Sequence, residues 1–262
     1  MSATNDSGSE GSGSSNDNKA APTAGALPLF YKDPQPVNSQ RHAKAGIKES
    51  HDFRFARDTN SVPLGADELF AALAFYPIVF AQTDPPVPAA VLGVGGNRNA
   101  FVDETGQWCA NTYIPAYIRR YPFIIATASA NQAYLAIDEA AESFSPRGGE
   151  RLFEGVAPSK VIQQALEFCQ AFQVQFQIAQ ALGKVLQDAG VLVSRRIDIQ
   201  RTDGARVSLD GFQVVDEARF DALPDDVFLE WRRRRVLGLV YAHLMSMRRW
   251  QTFVAPPIAT QP

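Results

Sequence analysis

The residue types best suited to recognition stand in one short block, YIPAYIRRYPF, spanning 113–123. An arginine guanidinium is a planar fork that pairs carboxylates and stacks on aromatic faces, and tyrosine adds an apolar ring with a polar tip. Tyr113, Tyr117, Arg119, Arg120 and Tyr121 are therefore the candidate binding residues. On a helix, Ile114, Tyr117, Ile118 and Tyr121 share one side and both arginines fall outside it, so a cationic flank is expected. With Tyr113 it would contact an acidic or aromatic segment of a partner. The alternative is that one arginine pairs with Asp138 or Asp216 inside the fold.

A second candidate set is a polar cluster of Asp138, Asp216, Glu217 and His243. Asp216-Glu217 could pair with an arginine or act as an acid/base dyad; adjacent side chains point to different sides of most backbones, which favours the ion pair. His42, His51 and His243 are far apart in sequence and none belongs to an H-E-x-x-H pair, so His243 reads as a satisfied structural histidine. There is no G-x-S-x-G elbow, and neither Cys109 nor Cys169 has a motif partner; both read as reduced, buried thiols. The glycines of Gly93-Val94-Gly95-Gly96 lack the spacing of a dinucleotide or phosphate loop and read as a turn. No catalytic residue, metal set or cofactor is expected.

The element that positions the arginine block occurs twice. LFAALAFYPIVFA (69–81) aligns with IPAYIRRYPFIIA (114–126) at an offset of 45, with Tyr76-Pro77 on Tyr121-Pro122. In each, apolar residues at helical spacing precede the Tyr-Pro, which should stop the helix, and a β-branched and aromatic run follows. Each unit therefore reads as helix, Tyr-Pro corner, strand, turn, strand, and the pair as a pseudo-twofold α+β region over 27–157.

Around it, Phe53 and Phe55 suggest a short strand, as does Ala100 to Val102. Residues 141–157 read as a Gly- and Pro-rich excursion. A long amphipathic helix is predicted between Pro158 and Gly190, with Ile162, Cys169, Phe172, Ala179, Gly183 and Leu186 on its stripe; Val174, Ile178, Leu182 and Val185 widen it. That width implies packing against more than one element, or, as a sharper alternative, a short coiled-coil seam. Val191 to Gln200 and Arg206 to Leu209 form a hairpin about Thr202-Asp203-Gly204, Asp210-Gly211 gives a second turn, and a final helix runs from Asp225 to about Trp250. Residues 158–262 thus form a helix–hairpin–helix region packed on the first.

Composition is that of an ordinary globular chain: 262 residues, 45% hydrophobic and 20% charged. The net charge of −3 speaks against general nucleic-acid binding, and the Arg232 to Arg235 run spreads around a helical turn rather than forming one basic face. Residues 1–26 carry no aromatic or aliphatic cluster and are expected to be disordered; they lack the apolar core of a secretory signal. With no membrane-length apolar run, the expected location is cytoplasmic.

Six blocks together, NSVPL (60–64), YPIVF (76–80), FVD (101–103), YIPAYIRRYPF (113–123), GFQVVDE (211–217) and YAHLMS (241–246), resemble the SapC family, over one domain of about 27–255. The family's name comes from surface array protein C of bacterial S-layers. The resemblance implies a bacterial chain, associated with the cell envelope or with TonB-dependent receptors, and no settled activity. A peptide-transporter permease shares the name, but this chain lacks membrane spans. Where the resemblance leads one to expect a glycine near the start of the last helix, this chain has Arg232 to Arg235. The expected role is non-enzymatic recognition of a protein or peptide, or an accessory role, in an envelope system. The alternative is an enzyme, or its accessory subunit, acting on peptides or envelope components. Partner identity and oligomeric state stay open.

Overall fold

A computed structural model describes residues 27–127 and 132–255; the N-terminal tail expected to be disordered lies outside them. Strands Pro34–Pro36 (β1) and Gly46–Ile47 (β2) come first, followed by Ser61–Pro63 (β3). The strand expected at Phe53 and Phe55 is instead a 3-10 turn, Arg54–Ala56. The Asp52 carboxylate accepts the Arg54 amide and starts that turn, so local capping overrides the alternation of the two rings.

One helical turn, Leu69–Ala72 (α1), leads through Tyr76-Pro77 into Ile78–Ala81 (β4), which pairs antiparallel with Pro88–Val91 (β5). The same order follows downstream: Ala116–Arg119 (α2), Tyr121-Pro122, Phe123–Thr127 (β6), and antiparallel Ala133–Asp138 (β7). Neither helix continues through its proline. In both places an upstream strand closes the outer edge, β3 on β5 and β1 on β7. The registers differ: Ile78 faces Ala90, whereas Phe123 faces Ile137, two positions beyond the residue that a 45-residue offset would select. Ala100 to Val102 is not a strand; only Val102 bridges, to Trp108.

The excursion over 141–157 is tied down by short pairings. Phe144–Ser145 (β8) and Glu150–Arg151 (β9) flank β2, and Phe153–Glu154 (β10) pairs with Ala157–Pro158 (β11). Next comes the long helix Lys160–Asp188 (α3), with Gly190 at φ 66 ending it as a left-handed stop. Strands Leu192–Gln200 (β12) and Arg206–Val215 (β13) form the predicted hairpin. Asp210-Gly211 is no second turn. The two residues sit opposite Arg196 alone, between the pairs Arg195–Phe212 and Ile197–Leu209, with Gly211 at φ 77. A glycine with positive φ serves a bulge as readily as a turn, and here the strand continues through it.

The chain ends in Glu217–Asp221 (α4), Asp225–Arg233 (α5), Val236–Ser246 (α6) and a 3-10 segment, Met247–Phe253. The single long helix expected from Asp225 is broken, because Arg235 takes left-handed φ 61. None of these helices is long and apolar enough to cross a membrane.

Four of the strand pairs join into a five-stranded antiparallel sheet, β12-β13-β4-β5-β3, and a second sheet has the order β1-β7-β6. The α3 helix serves both. Ile162 and Cys169 in its first half pack with Phe123, Leu135 and Ile137, while Phe172, Leu182 and Leu186 belong to the main core with Ile78, Phe80 and Leu92. The width of its apolar stripe reflects these two partners, although Val174 and Ile178 face outward at 52% and 46% exposure. Gly183 lets the helix lie against the β4–β5 connection: a Cβ there would fall 1.6 Å from the Pro86 carbonyl oxygen.

Candidate functional site

The α2 helix is capped from its N-terminal side and stopped by the Tyr121-Pro122 corner. Buried Glu68 accepts the Ala116 amide, the Gly65 amide and, at 2.8 Å, the Tyr113 hydroxyl. The carboxylate so placed satisfies donors at the first turn, where the helix dipole favours negative charge. Burial nevertheless pushes the Glu68 carboxyl above its ordinary value, against the pull of these donors.

The structure divides the two arginines. Arg119 is exposed; it donates to the Ile114 carbonyl and the Tyr113 hydroxyl, and its guanidinium lies 5.5 Å from the Tyr113 ring and 5.2 Å from that of Phe168. Arg120 is buried, with 9% exposure. The expected flank therefore holds one exposed cation: Arg120 keeps helical geometry and stands about 60° from Tyr117 on the wheel, at the margin of the buried side, whereas Arg119 points away. Its guanidinium lies 3.9 Å from the Tyr117 ring centre, 4.8 Å from that of Phe172 and 5.8 Å from that of Tyr31. Its Nε has no hydrogen-bond partner, and no carboxylate among the described residues lies within ion-pair distance. Neither Asp138 nor Asp216 pairs with it.

Asp138 acts on this site from behind. Fully buried at the end of β7, it accepts the amides of Lys32, Asp33 and Ala140 and the hydroxyl of Tyr121. It thereby fixes the N-terminal segment over α2. Tyr31 donates to the Phe123 carbonyl and meets Tyr121 edge-on at 5.4 Å; Tyr121 stacks on Phe55 at 4.2 Å. Phe30, at φ 81, places its ring edge-on to Tyr117 and Phe55. A bulky residue with left-handed φ is sterically strained and is kept only where its surroundings hold it.

The five candidate binding residues thus gather around α2, and Asp138 joins them. Asp216, Glu217 and His243 lie elsewhere. Asp216 caps α4 through the Arg219 amide and pairs with Arg195 at 3.4 Å, while Glu217 opens α4 beside it. His243 is buried on α6: its Nε2 accepts the Val215 amide and its Nδ1 donates to the Ile78 carbonyl. Extending the β13–β4 register from Phe212–Ala81 sets Val215 opposite Ile78. The imidazole therefore takes the place of a ladder bond where the strands part. Ser246, one turn on, accepts the Ile78 amide. Burial lowers the His243 pKa to about 4, against the opposing effect of the Ile78 bond, so the ring is neutral.

The family model named SapC matches residues 37–253, most of the chain. The chain belongs to the SapC family. No curated protein and no solved structure matches it. Within this SapC-family chain, reasoning from sequence did not find Glu68, Tyr31 or Phe168 as parts of the site. Phe168 and Phe172 are four apart on a helix, a spacing that does mark a shared face, but nothing local ties Tyr31 to Arg120. The chemistry offered is anion and aromatic recognition. The nearest thiol, Cys169, is pushed up by burial to about 11, against the pull of Arg120, and is neutral near pH 7.

Proposed function

We propose that this chain is a recognition module that binds a carboxylate-bearing protein or peptide segment at the α2–α3 face. The observation that carries the reading is the Arg120 guanidinium, desolvated among three aromatic rings without a carboxylate of its own. Burying a cation is costly unless it is compensated, and cation–π contacts compensate only in part. A carboxylate brought by a partner would complete the pairing through the fork of the guanidinium, with exposed Arg119 as a second contact. The family resemblance supports placing that partner in a bacterial envelope system, whether S-layer or TonB-dependent receptor.

The alternative, an enzyme or enzyme accessory subunit acting on peptides or envelope components, would draw on an open hollow of about 380 Å³ lined by Arg195, Asp216, Glu217, Leu244 and Met247. There Asp216 is already engaged as a helix cap and ion-pair partner, which favours the recognition reading.

Replacing Arg120 by Met keeps most of the volume and removes the charge. In affinity capture from the native cell, Arg120→Met should lose the partner that the parent chain retains, while melting is unchanged or raised, as expected when a buried charge is exchanged for an apolar side chain. Capture of the same partner at the same yield by the variant would refute the proposal.

A further inference from the structure

The α6 helix is apolar on both sides: Val236, Val240 and Ala242 are buried, and Leu237 is half-buried against the main core. Its two strongly polar side chains, His243 and Ser246, face inward to the β4–β13 junction, while its outer side carries Leu237, Gly238, Tyr241 and Met245. At 100° per residue these four fall within an arc of about 100°. Tyr241 is 46% exposed and Met245 62%. Phe70 of α1, 60% exposed, extends the stripe sideways, its ring tip 3.4 Å from where a Gly238 Cβ would stand. A helix apolar all round is ordinarily enclosed, and this one leaves a face uncovered.

Arginines bracket the stripe. Arg234 and Arg235 precede α6, and Arg248 and Arg249 follow it, all exposed and without a carboxylate in ion-pair range among the described residues. Arg249 reaches back to the Leu73 carbonyl at the end of α1, beside Phe70. Arg235 holds φ 61, a conformation glycine would adopt without strain.

We infer that this face docks on a lipid bilayer carrying anionic headgroups, with Phe70, Tyr241 and Met245 entering the interface and the arginines meeting the phosphates. Protruding side chains on a convex helix suit a deformable surface rather than a groove, and aromatic residues with arginine are the mixture an interface takes up. A second copy is the poorer occupant. Antiparallel pairing of α6 helices would set Arg234 and Arg235 against Arg248 and Arg249, and parallel pairing would set each pair against itself.

The test uses the full chain with vesicles of phosphatidylcholine alone or mixed with phosphatidylglycerol. Sedimentation with the mixed vesicles only, weakened by added salt, is the expected result. Phe70→Ser with Met245→Ser should reduce binding by roughly tenfold or more, with Met245→Ser alone as the milder variant should the pair melt early. Arg235→Gly should reduce binding about fivefold while raising the melting temperature, a combination that a purely structural arginine would not give. Absence of binding to mixed vesicles, equal binding to neutral ones, or unaltered binding by the Phe70 and Met245 variants would overturn the inference. So would a dimer, or a stable complex with an acidic protein, that the same variants dissolve.

Discussion

His243 carries a proton switch in its burial. Its folded pKa of about 4 lies below the ordinary 6.5, so between those values the unfolded chain binds the proton and the folded chain does not. Stability from this group is complete above about pH 6.5 and is lost as pH falls towards 4, by on the order of 3 kcal/mol. Glu139, held low first by its bond to Arg41, and Asp52, held low by Arg54, lose their contributions only at lower pH. Urea midpoints measured from pH 7.5 downward should therefore begin to fall near pH 6.5. The raised Glu68 carboxyl acts in the opposite sense, so His243→Gln supplies the baseline, and a profile identical to that variant's would show that the ring is not buried neutral. His243 was legible as structural because it stands in a helix without a motif partner. Its task was not, since Ile78 and Val215 are 165 and 28 residues away. Arg120 illustrates the same limit: its type and position were readable, whereas its burial depends on Tyr31 and Phe172, which come from distant segments of the chain.

The elements that sequence pattern revealed are those with long or doubled signals: α3, the β12–β13 hairpin, and the two helix–strand–strand units. The short ones failed where a local bond competes with the pattern, as at Arg54–Ala56, or where one glycine-like conformation cuts a helix, as at Arg235. Gly183 tests the packing of α3. In an open helix, Gly→Ala stabilises by about 1 kcal/mol. Here the added carbon would meet the Pro86 carbonyl at 1.6 Å, and backbone rather than a flexible side chain would have to yield. Gly183→Ala should therefore destabilise by about 2–3 kcal/mol, read as a lowered urea midpoint with an unchanged slope. A stabilised variant would mean that α3 and the β4–β5 connection do not touch there.

At the scale of the whole molecule, the boundary near residue 157 divides sequence patterns rather than cores. Strand β13 from the second region pairs with β4 from the first, and His243 and Ser246 clip that junction from α6. The main core runs from Ala56 to Phe253 and takes residues from both sides of the boundary. Helix α3 ties the second sheet to the first, so neither sheet is enclosed by its own region. A chain built this way should unfold in one transition, with tryptophan fluorescence and far-ultraviolet dichroism coincident in urea. Trp108 and Trp231 stand on opposite sides of the boundary and both are buried in the main core, so fluorescence samples the two regions together. The fragment 27–157, produced alone, should lack the near-ultraviolet dichroism of packed aromatics, because β4 would present an open edge and Ile78 and Phe80 would lose the α6 cover. Two resolved transitions, or a fragment that folds by itself, would establish two domains in place of one.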